Sequence, residues 1–276
     1  MLEKVGSSKN IREFLVPALV IVAIGLAFFS GTLWQKVSSL EKGGTKTKEG
    51  TTETTTTGEQ QPKITLDTVK GLFDKDLVKF GDANRKVLFV EISDPSCPYC
   101  HIAGGNNPEL SRQIKDQAGK YPFTYVQNGG SYLPPVPEMK KLVDSGKASL
   151  VYIYTPGHGS GEMAMKALYC ANEKGKFWEA HDLLMTNKGY DFINNTVQND
   201  KAKYGAMTDF LKGAVDPAFL KSCLESGKYD NRLVADEAVA QSLGISGTPG
   251  FIINDQVFAG AYSYKDMESV VTSALK

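Results

Sequence analysis

The chain is predicted to fold as an α/β protein with an inserted helical module. Three observations in its 276 residues lead to that prediction. A strand, a helix start and a second strand follow one another between residues 86 and 154. A block with helical periodicity comes next, and the pattern then changes to a short hairpin and a final helix. This order places helices against one sheet, with a helical insertion at about 157–230.

Composition agrees with a globular chain and excludes several other classes of protein. Lysine plus arginine and aspartate plus glutamate both number 31, so the formal net charge is zero and no basic surplus points to nucleic acid. A hydrophobic share of 41% is ordinary for a folded protein and excludes a wholly disordered or fibrous chain. The three histidines are too few and too scattered for a histidine-rich metal site.

The first 62 residues carry the signals of a membrane anchor and a linker. No charge occurs over residues 14–35, and a helix of that length spans about 33 Å, enough to cross a bilayer. A cleaved signal peptide is the alternative, but no A-x-A-like cleavage site follows the run. We expect a short cytoplasmic N-terminus over 1–13, a transmembrane helix over 14–35 and a disordered threonine-rich linker over 36–62. Lysines flank the apolar run on both sides, so charge does not decide its orientation.

Residue pattern predicts the elements of the folded part, residues 63–276. The apolar runs 86–93 and 149–154 predict strands, and the first is apolar enough for the centre of a sheet. A shorter strand is predicted over 63–67, and glycines and prolines predict irregular backbone over 101–136. Short β-rich runs on either side of Asn254-Asp255 predict a hairpin. Helices are predicted from about Cys97, and over 138–146, 161–174, 176–186, 217–226, 231–243 and 263–275.

The strongest chemical signal is the pair Cys97 and Cys100, which follows the central strand and should open a helix. One helical turn brings two such cysteines within disulfide range. Unpaired backbone N–H groups and the helix dipole favour a thiolate at Cys97, which we expect to be the nucleophile. Cys100 would be the resolving thiol, and Pro98 fixes the φ angle that a helix start needs.

A zinc site is the rival interpretation of this motif. Zinc would need two more ligands at compatible spacing, but the chain has no second C-x-x-C, and Cys170 and Cys223 lie far away in sequence. His101 is adjacent but alone. We therefore expect thiol–disulfide exchange that uses no metal and no organic cofactor.

Several segments resemble one family. These are KVLFVEISDPSCPYC, ALYCANEKGKFWEAHDLL, FLKSCLESGKY and GISGTPGFIIND. Together they are similar to the thioredoxin superfamily, and more closely to its DsbA-like branch of extracytoplasmic thiol–disulfide oxidoreductases. The resemblance covers residues 81–100 and 137–276 and implies a thioredoxin fold. Residues 101–136 depart from it, because Gly104-Gly105 and Pro108 interrupt the helix that the family continues after its second cysteine.

The resemblance also implies roles for further residues. Thr248-Pro249 matches the family's cis-proline loop, which binds substrate together with Pro98 and Tyr99; an ordinary turn is the alternative. Glu91 matches an acid buried beneath the disulfide that could exchange a proton with Cys100; a solvent-facing strand residue is the alternative. Tyr99 stands where the strongest oxidants of the family carry histidine, so we expect a milder oxidant.

Cys170 and Cys223 each fall in a predicted helix. An even number of cysteines in an oxidising compartment favours pairing, and a bridge closing about 54 residues contributes roughly 4 kcal/mol. Some relatives carry a cysteine pair at these positions, which supports a structural disulfide. Two buried free thiols are the alternative.

These expectations combine into one hypothesis of function. The protein would donate the Cys97–Cys100 disulfide to reduced secreted or cell-surface polypeptides through a mixed disulfide. A single-pass anchor would hold the catalytic domain outside the cell membrane, where thiols can stay oxidised. The resemblance implies reoxidation by a DsbB- or VKOR-like membrane partner. The alternatives are a membrane-anchored reductase or isomerase, and a peptide-binding chaperone module.

Overall fold

The computed structural model describes residues 63–276, so the predicted N-terminal segment, transmembrane helix and linker lie outside the described residues. The described residues form a mixed five-stranded sheet in the order β1-β3-β2-β4-β5. Its strands are β1 (Val78–Phe80), β2 (Val87–Ser93), β3 (Ala148–Tyr154), β4 (Gly250–Ile253) and β5 (Gln256–Ala259).

Helices account for most of the remaining chain. Within residues 63–276 they are α1 (Leu66–Gly71), α2 (Pro98–Gly104), α3 (Pro108–Ser111), α4 (Pro135–Asp144), α5 (Glu162–Glu173), α6 (Phe177–Leu184), α7 (Asn187–Asp191), α8 (Tyr204–Leu211), α9 (Pro217–Glu225), α10 (Asp230–Ser242) and α11 (Tyr264–Leu275). A π-helix follows α7 at Phe192–Val197. None of these helices is both long enough and apolar enough to span a bilayer.

Strand β2 is the centre of the sheet, as its apolar sequence predicts. It runs parallel to β3 and antiparallel to β4, and all seven of its residues are buried. Successive side chains of a strand point to opposite faces, so Phe89 and Glu91 share one face while Leu88 and Val90 share the other. Helices cover both faces, which is why the strand is apolar throughout.

The two faces of the sheet carry separate cores. Leu88 and Val90 pack with Val69 of α1 and Ala240 of α10. On the opposite face Phe89 belongs to the larger core, which includes α5, α6 and α9. Burying a large apolar side chain contributes about 1.5–3 kcal/mol, so these two layers supply most of the stabilising free energy.

The predicted strand over 63–67 is wrong, because this segment leads into α1. The Thr65 hydroxyl accepts a hydrogen bond from the Thr68 N–H at 3.2 Å and caps the helix, and Val69 then turns into the core. The sheet's edge strand is instead β1, which pairs with β3. With three residues, β1 is too short for its alternation to have been distinctive in the sequence.

The segment after the second cysteine contains more order than its glycines and prolines predict. Helix α2 ends at Gly104, and Gly105 closes it at φ 80°. A Cβ at Gly105 would lie 2.8 Å from Pro137, so glycine is required there. A small third core follows, in which Tyr125 is fully buried and its hydroxyl donates to the Ile102 carbonyl at 3.0 Å. The insertion is therefore packed against the last turn of α2.

Candidate active site

The two cysteines of the C-x-x-C motif lie where β2 gives way to α2. Cys97 is the N-cap residue, Pro98 is the first helical residue and Cys100 lies one turn further. Both cysteines are free thiols and both are buried, with exposed fractions of 2% and 1%. Tyr99, between them, is 38% exposed. The motif thus presents one side chain to solvent and keeps its sulfur atoms in a sheltered site.

The surroundings favour a thiolate at Cys97. A hydrogen bond from the Cys100 thiol, together with the backbone N–H groups of Tyr99 and Cys100, lowers the pKa of Cys97 from 9.0 to about 6, although burial opposes this. In its protonated form the Cys97 thiol donates to the Thr248 carbonyl oxygen at 3.3 Å. Cys97 is therefore largely ionised at neutral pH.

Cys100 has the opposite character. Burial raises its pKa well above 9.0, and the neighbouring Cys97 raises it further. The Asp94 N–H donates to the Cys100 sulfur at 3.4 Å. The two thiols of one motif are therefore unequal, because the pKa of Cys97 is lowered and the pKa of Cys100 is raised.

The loop before β4 closes the site. The Thr248-Pro249 peptide bond is cis, and Gly250 then begins β4 beside β2. This geometry brings the Thr248 carbonyl against Cys97. The sequence-predicted residues Pro98, Tyr99, Thr248 and Pro249 thus all lie close to Cys97 in the chain or through the Thr248 carbonyl, at the end of the sheet where β2 ends and β4 begins.

Asp94, to which sequence reasoning assigned no role, binds the parts of the site together. Its buried carboxylate accepts from the Ser96 N–H at 2.7 Å and the Ser96 hydroxyl at 2.8 Å. Its other oxygen accepts from the N–H groups of Gly157 and His158, at 2.6 and 2.9 Å. One side chain therefore fixes both the turn before Cys97 and the glycine-rich loop after β3. The sequence signal that could have identified this role is a carboxylate in the turn directly before the C-x-x-C motif.

Two further polar contacts hold this turn. The Asn194 side chain, in the π-helix, donates to the Ser96 carbonyl at 3.2 Å. The Nε2 of His101 donates to the Pro95 carbonyl at 2.8 Å, and burial lowers the pKa of His101 to about 4, so the ring is neutral. No local sequence pattern indicates the Asn194 contact, because the two residues are about a hundred positions apart.

Gly161 leads directly into α5 and contacts Asp94 so closely that alanine cannot be accommodated. A Cβ there would lie 1.8 Å from the Asp94 carboxylate, which four hydrogen bonds hold in place. We expect Gly161→Ala to cost about 2 kcal/mol of stability and to slow thiol exchange. Gly205→Ala is the control, since nothing lies within 4 Å of its Cβ and alanine favours a helix. Urea unfolding measures the free energy of unfolding of both variants. Equal losses in the two would show that the Asp94 carboxylate tolerates a Cβ at position 161.

Glu91 is buried, as the resemblance predicts, rather than facing solvent. Its side chain is on the same face of β2 as Phe89, and its exposed fraction is 1%. Burial raises the pKa of Glu91 from 4.5 to about 7, against the lowering influence of His181. A carboxyl group with this pKa can both give and accept a proton near neutral pH.

Replacing Glu91 should change the pH dependence of stability. Folding raises the pKa of Glu91, so the folded state binds this proton more tightly and stability falls as pH rises from about 4.5 through 7. We expect Glu91→Gln to be more stable than the parent by about 2–3 kcal/mol at pH 8, with little gain near pH 4. Urea unfolding at both pH values measures this, with exposed Glu268→Gln as the control. An equal gain at the two pH values would contradict the assignment.

Cys170 of α5 and Cys223 of α9 form a disulfide in the structure. It lies within the larger core and joins two helices of the inserted block. His181 and Trp178 of α6 pack in the same core region, with ring centroids 5.2 Å apart. The disulfide belongs to the helical block, and neither of its cysteines lies in β2, in α2 or in the loop before β4, which together carry the C-x-x-C site.

Aromatic side chains adjoin the exposed part of the motif. The Tyr99 and Phe123 rings contact edge to face at a centroid distance of 5.6 Å, and Phe123 packs on Tyr132. Tyr132 is buried, whereas Tyr121 is 46% exposed. The insertion thus adds an aromatic border to the site. Among residues 63–276, no group of three or more His, Cys, Asp or Glu side chains is placed to hold a metal ion.

Comparison with known proteins agrees with this geometry. A family model described as thioredoxin matches residues 137–273. A "Putative protein-disulfide oxidoreductase" of Rickettsia bellii is 22% identical over 79% of this chain and 72% of its own length. The Na(+)/H(+) antiporter NhaA 3 of Salinispora tropica is 26% identical over 73% of this chain. The chain spans about a quarter of the length of that curated relative, at 25%.

Two solved structures establish the fold. BdbD of Bacillus subtilis, in oxidised form, aligns with a TM-score of 0.51 at 18% identity, over 78% of this chain and 97% of that one. The alpha-DsbA1 of Wolbachia pipientis aligns with a TM-score of 0.52 at 16% identity, over 72% of this chain and 91% of that one. Both likenesses show the α/β thioredoxin-like fold that the sequence predicts. Together with the match to the thioredoxin family model over residues 137–273, they show that the chain has a thioredoxin-like fold and is similar to DsbA-like proteins and to relatives described as putative protein-disulfide oxidoreductases.

Proposed function

We propose that the chain donates the Cys97–Cys100 disulfide to reduced secreted or cell-surface polypeptides. The observation that carries this proposal is the inequality of the two thiols. Cys97 is stabilised as a thiolate, whereas Cys100 is buried and retains its proton. Stabilising the thiolate favours the reduced pair, so the oxidised pair readily gives up its disulfide.

The exchange proceeds in two balanced steps. A substrate thiolate attacks the Cys97 sulfur, and the electron pair of the broken S–S bond passes to Cys100, which takes up a proton. A second substrate thiolate then attacks the substrate sulfur of the mixed disulfide and releases Cys97 as a thiolate. The substrate loses two electrons and gains a disulfide, and the Cys97–Cys100 pair is reduced.

Substrate recognition is assigned to the edge of the site around the cis-proline loop. The backbone of Thr248 lies against Cys97, where an extended peptide carrying the attacking thiol would pass. Tyr99 and its neighbour Phe123 offer an apolar border beside it. Such a surface suits unfolded polypeptides, which expose apolar side chains near their cysteines.

Location and partner follow from the chemistry and from the sequence outside the described residues. A donor of disulfides works where thiols remain oxidised, which supports an extracytoplasmic domain that the apolar run over residues 14–35 would anchor. Each turnover leaves the motif reduced. A DsbB- or VKOR-like membrane protein would then remove the two electrons, and the anchor would keep the two proteins together.

Trapping the mixed disulfide tests the proposal. In Cys100→Ser the only motif sulfur is Cys97, so a disulfide that it forms with a substrate cannot be resolved internally. Cys100→Ser expressed with the anchor should accumulate covalent adducts with cysteine-containing surface proteins, linked through Cys97 and released by reductant. Cys97→Ser is the matched control and should give none. Adducts through Cys170 or Cys223, or none with either variant, would overturn the proposal.

A further inference from the structure

Exposure alone does not direct thiol exchange to the C-x-x-C motif. Cys223, in the disulfide between α5 and α9, is 6% exposed, whereas Cys97 is only 2% exposed. Cys170 is fully buried, so a thiolate from solvent meets this disulfide at the Cys223 sulfur. Attack on a disulfide is made by a thiolate, and its rate depends on access to the attacked sulfur. The charge beside Cys223 therefore matters as much as its exposure.

A glutamate carboxylate lies against that sulfur. The Glu173 Oε1 is 3.8 Å from the Cys223 Sγ, and since a disulfide sulfur carries no hydrogen, this contact is not a hydrogen bond. Glu173 is one helical turn after Cys170 on α5, so one face of this helix carries both the disulfide and the carboxylate. The Glu173 side chain is 33% exposed. It therefore places a negative charge at the sulfur that solvent reaches.

The turn after α9 holds this carboxylate in place. The Lys228 ammonium forms an ion pair with the Glu173 Oε1, and the Tyr229 hydroxyl donates a hydrogen bond to the same oxygen. Gly227, at φ 66°, leads the chain into this turn. Although burial opposes the change, the Lys228 and Tyr229 contacts lower the pKa of Glu173, so the carboxylate is ionised at neutral pH.

We propose that Glu173 confines thiol exchange to the C-x-x-C motif by repelling thiolates from the Cys223 sulfur. The two attacked sulfurs have opposite surroundings, because backbone N–H groups favour negative charge at Cys97 and a carboxylate opposes it at Cys223. This selectivity holds in whichever direction the motif exchanges electrons, so it goes beyond the proposed function.

The leaving sulfurs differ in the same sense as the attacked ones. Cys100 accepts a hydrogen bond from the Asp94 N–H at 3.4 Å, which stabilises it as it leaves the motif disulfide. Cys170 would leave as a thiolate within the larger apolar core, where burial disfavours the charge. Glu173 thus adds a barrier on the solvent side of a bridge whose inner sulfur is already a poor leaving group.

Reduction of the bridge would take two steps. A thiolate attacks the Cys223 sulfur, and the electron pair of the broken S–S bond passes to Cys170, which takes up a proton. A second thiolate attacks the reagent's sulfur in this mixed disulfide and releases Cys223. The reagent is oxidised to its disulfide and loses two electrons, and the bridge gains them. Negative charge arrives or appears beside Glu173 in both steps, and like charges repel.

The test reduces the oxidised full-length protein with two monothiols of different charge. The mercaptoethanesulfonate thiolate carries two negative charges, whereas the cysteamine thiolate carries a compensating ammonium group. Glu173→Gln keeps the shape of the side chain and removes its charge. At low salt and equal thiolate concentration, it should speed reduction of the Cys170–Cys223 bridge about fivefold with mercaptoethanesulfonate and less than about twofold with cysteamine.

Mass spectrometry of alkylated peptides measures the cysteines released at each time. The same samples report the Cys97–Cys100 disulfide, whose rate of reduction should not change in Glu173→Gln. Glu225→Gln is the matched control, because Glu225 lies two residues after Cys223 on α9 and its carboxylate pairs with Lys221. It should leave both rates within about twofold of the parent.

Tyr229→Phe separates charge from loosening of the structure. It removes a hydrogen bond that holds Glu173 but keeps the carboxylate, so it should not favour the anionic thiol. The inference is overturned if Glu173→Gln speeds both thiols equally or neither, or if Glu225→Gln or Tyr229→Phe reproduces the selective acceleration. None of these results affects the proposed function, whose own test is the adduct trapped through Cys97.

Discussion

Cys97→Ser should lower the rate of disulfide transfer to a reduced peptide by at least ~1000-fold, because a serine hydroxyl cannot form the disulfide that is transferred. The structure gives this sulfur its special character: Cys97 is the N-cap residue of α2, and the Cys100 thiol and two backbone N–H groups stabilise its thiolate. The measurement is mass-spectrometric counting of disulfides gained by a two-cysteine peptide after mixing with oxidised protein.

Cys100→Ala gives the informative comparison. Loss of the Cys100 hydrogen bond, the largest contribution to the low pKa of Cys97, should raise that pKa above about 6. The variant should therefore react with iodoacetamide more slowly than the reduced parent at pH 6.5, while Cys97→Ser loses this reaction at the motif. Unchanged peptide oxidation in Cys97→Ser would remove this cysteine from the mechanism.

Removal of the Cys170–Cys223 disulfide should produce the largest change in stability. The bridge spans a sequence separation of 53 residues, and in the chain-entropy model closing such a loop contributes about 4 kcal/mol. Both residues are buried in the larger core, where α5 and α9 pack together. We expect the double variant Cys170→Ala, Cys223→Ala to lose about that free energy of unfolding in urea.

The control is the double variant Cys97→Ala, Cys100→Ala, which should lose much less, since the structure holds these two cysteines as free thiols. Transfer of the disulfide should survive in the Cys170, Cys223 variant at temperatures where it stays folded. A loss below about 1 kcal/mol would mean that the helical block is held by packing alone.

Much of the site could be predicted because its signals are local in sequence. Cys97, Pro98 and Cys100 are neighbours on one helix turn, and Thr248-Pro249 directly precedes a strand with clear boundaries. The central strand β2 was predictable for the same reason, since burial on both faces requires an unbroken apolar run. Glu91 was conspicuous because it is the one charged residue in that run.

The remaining contacts depend on residues that the fold brings together. Asn194 supports the turn before Cys97 from a distant π-helix, and the glycine loop reaches Asp94 because β3, which it follows, pairs with β2. His181 packs among aromatic side chains of α6, but its unpaired inner nitrogen is visible only in three dimensions. The segment 63–67 forms no strand because its β pattern is weak and the Thr65 hydroxyl caps the helix that follows.

The reduction potential of the Cys97–Cys100 pair tests the central claim most directly. Thioredoxin, with a reactive cysteine pKa near 7, has a potential of about −270 mV, whereas DsbA, with a pKa near 3.5, has about −120 mV. The pKa of about 6 at Cys97 places this pair between them. Equilibration of the purified protein with glutathione should give a value between about −230 and −150 mV. A value below about −250 mV would identify the dithiol as the stable form and the protein as a reductase.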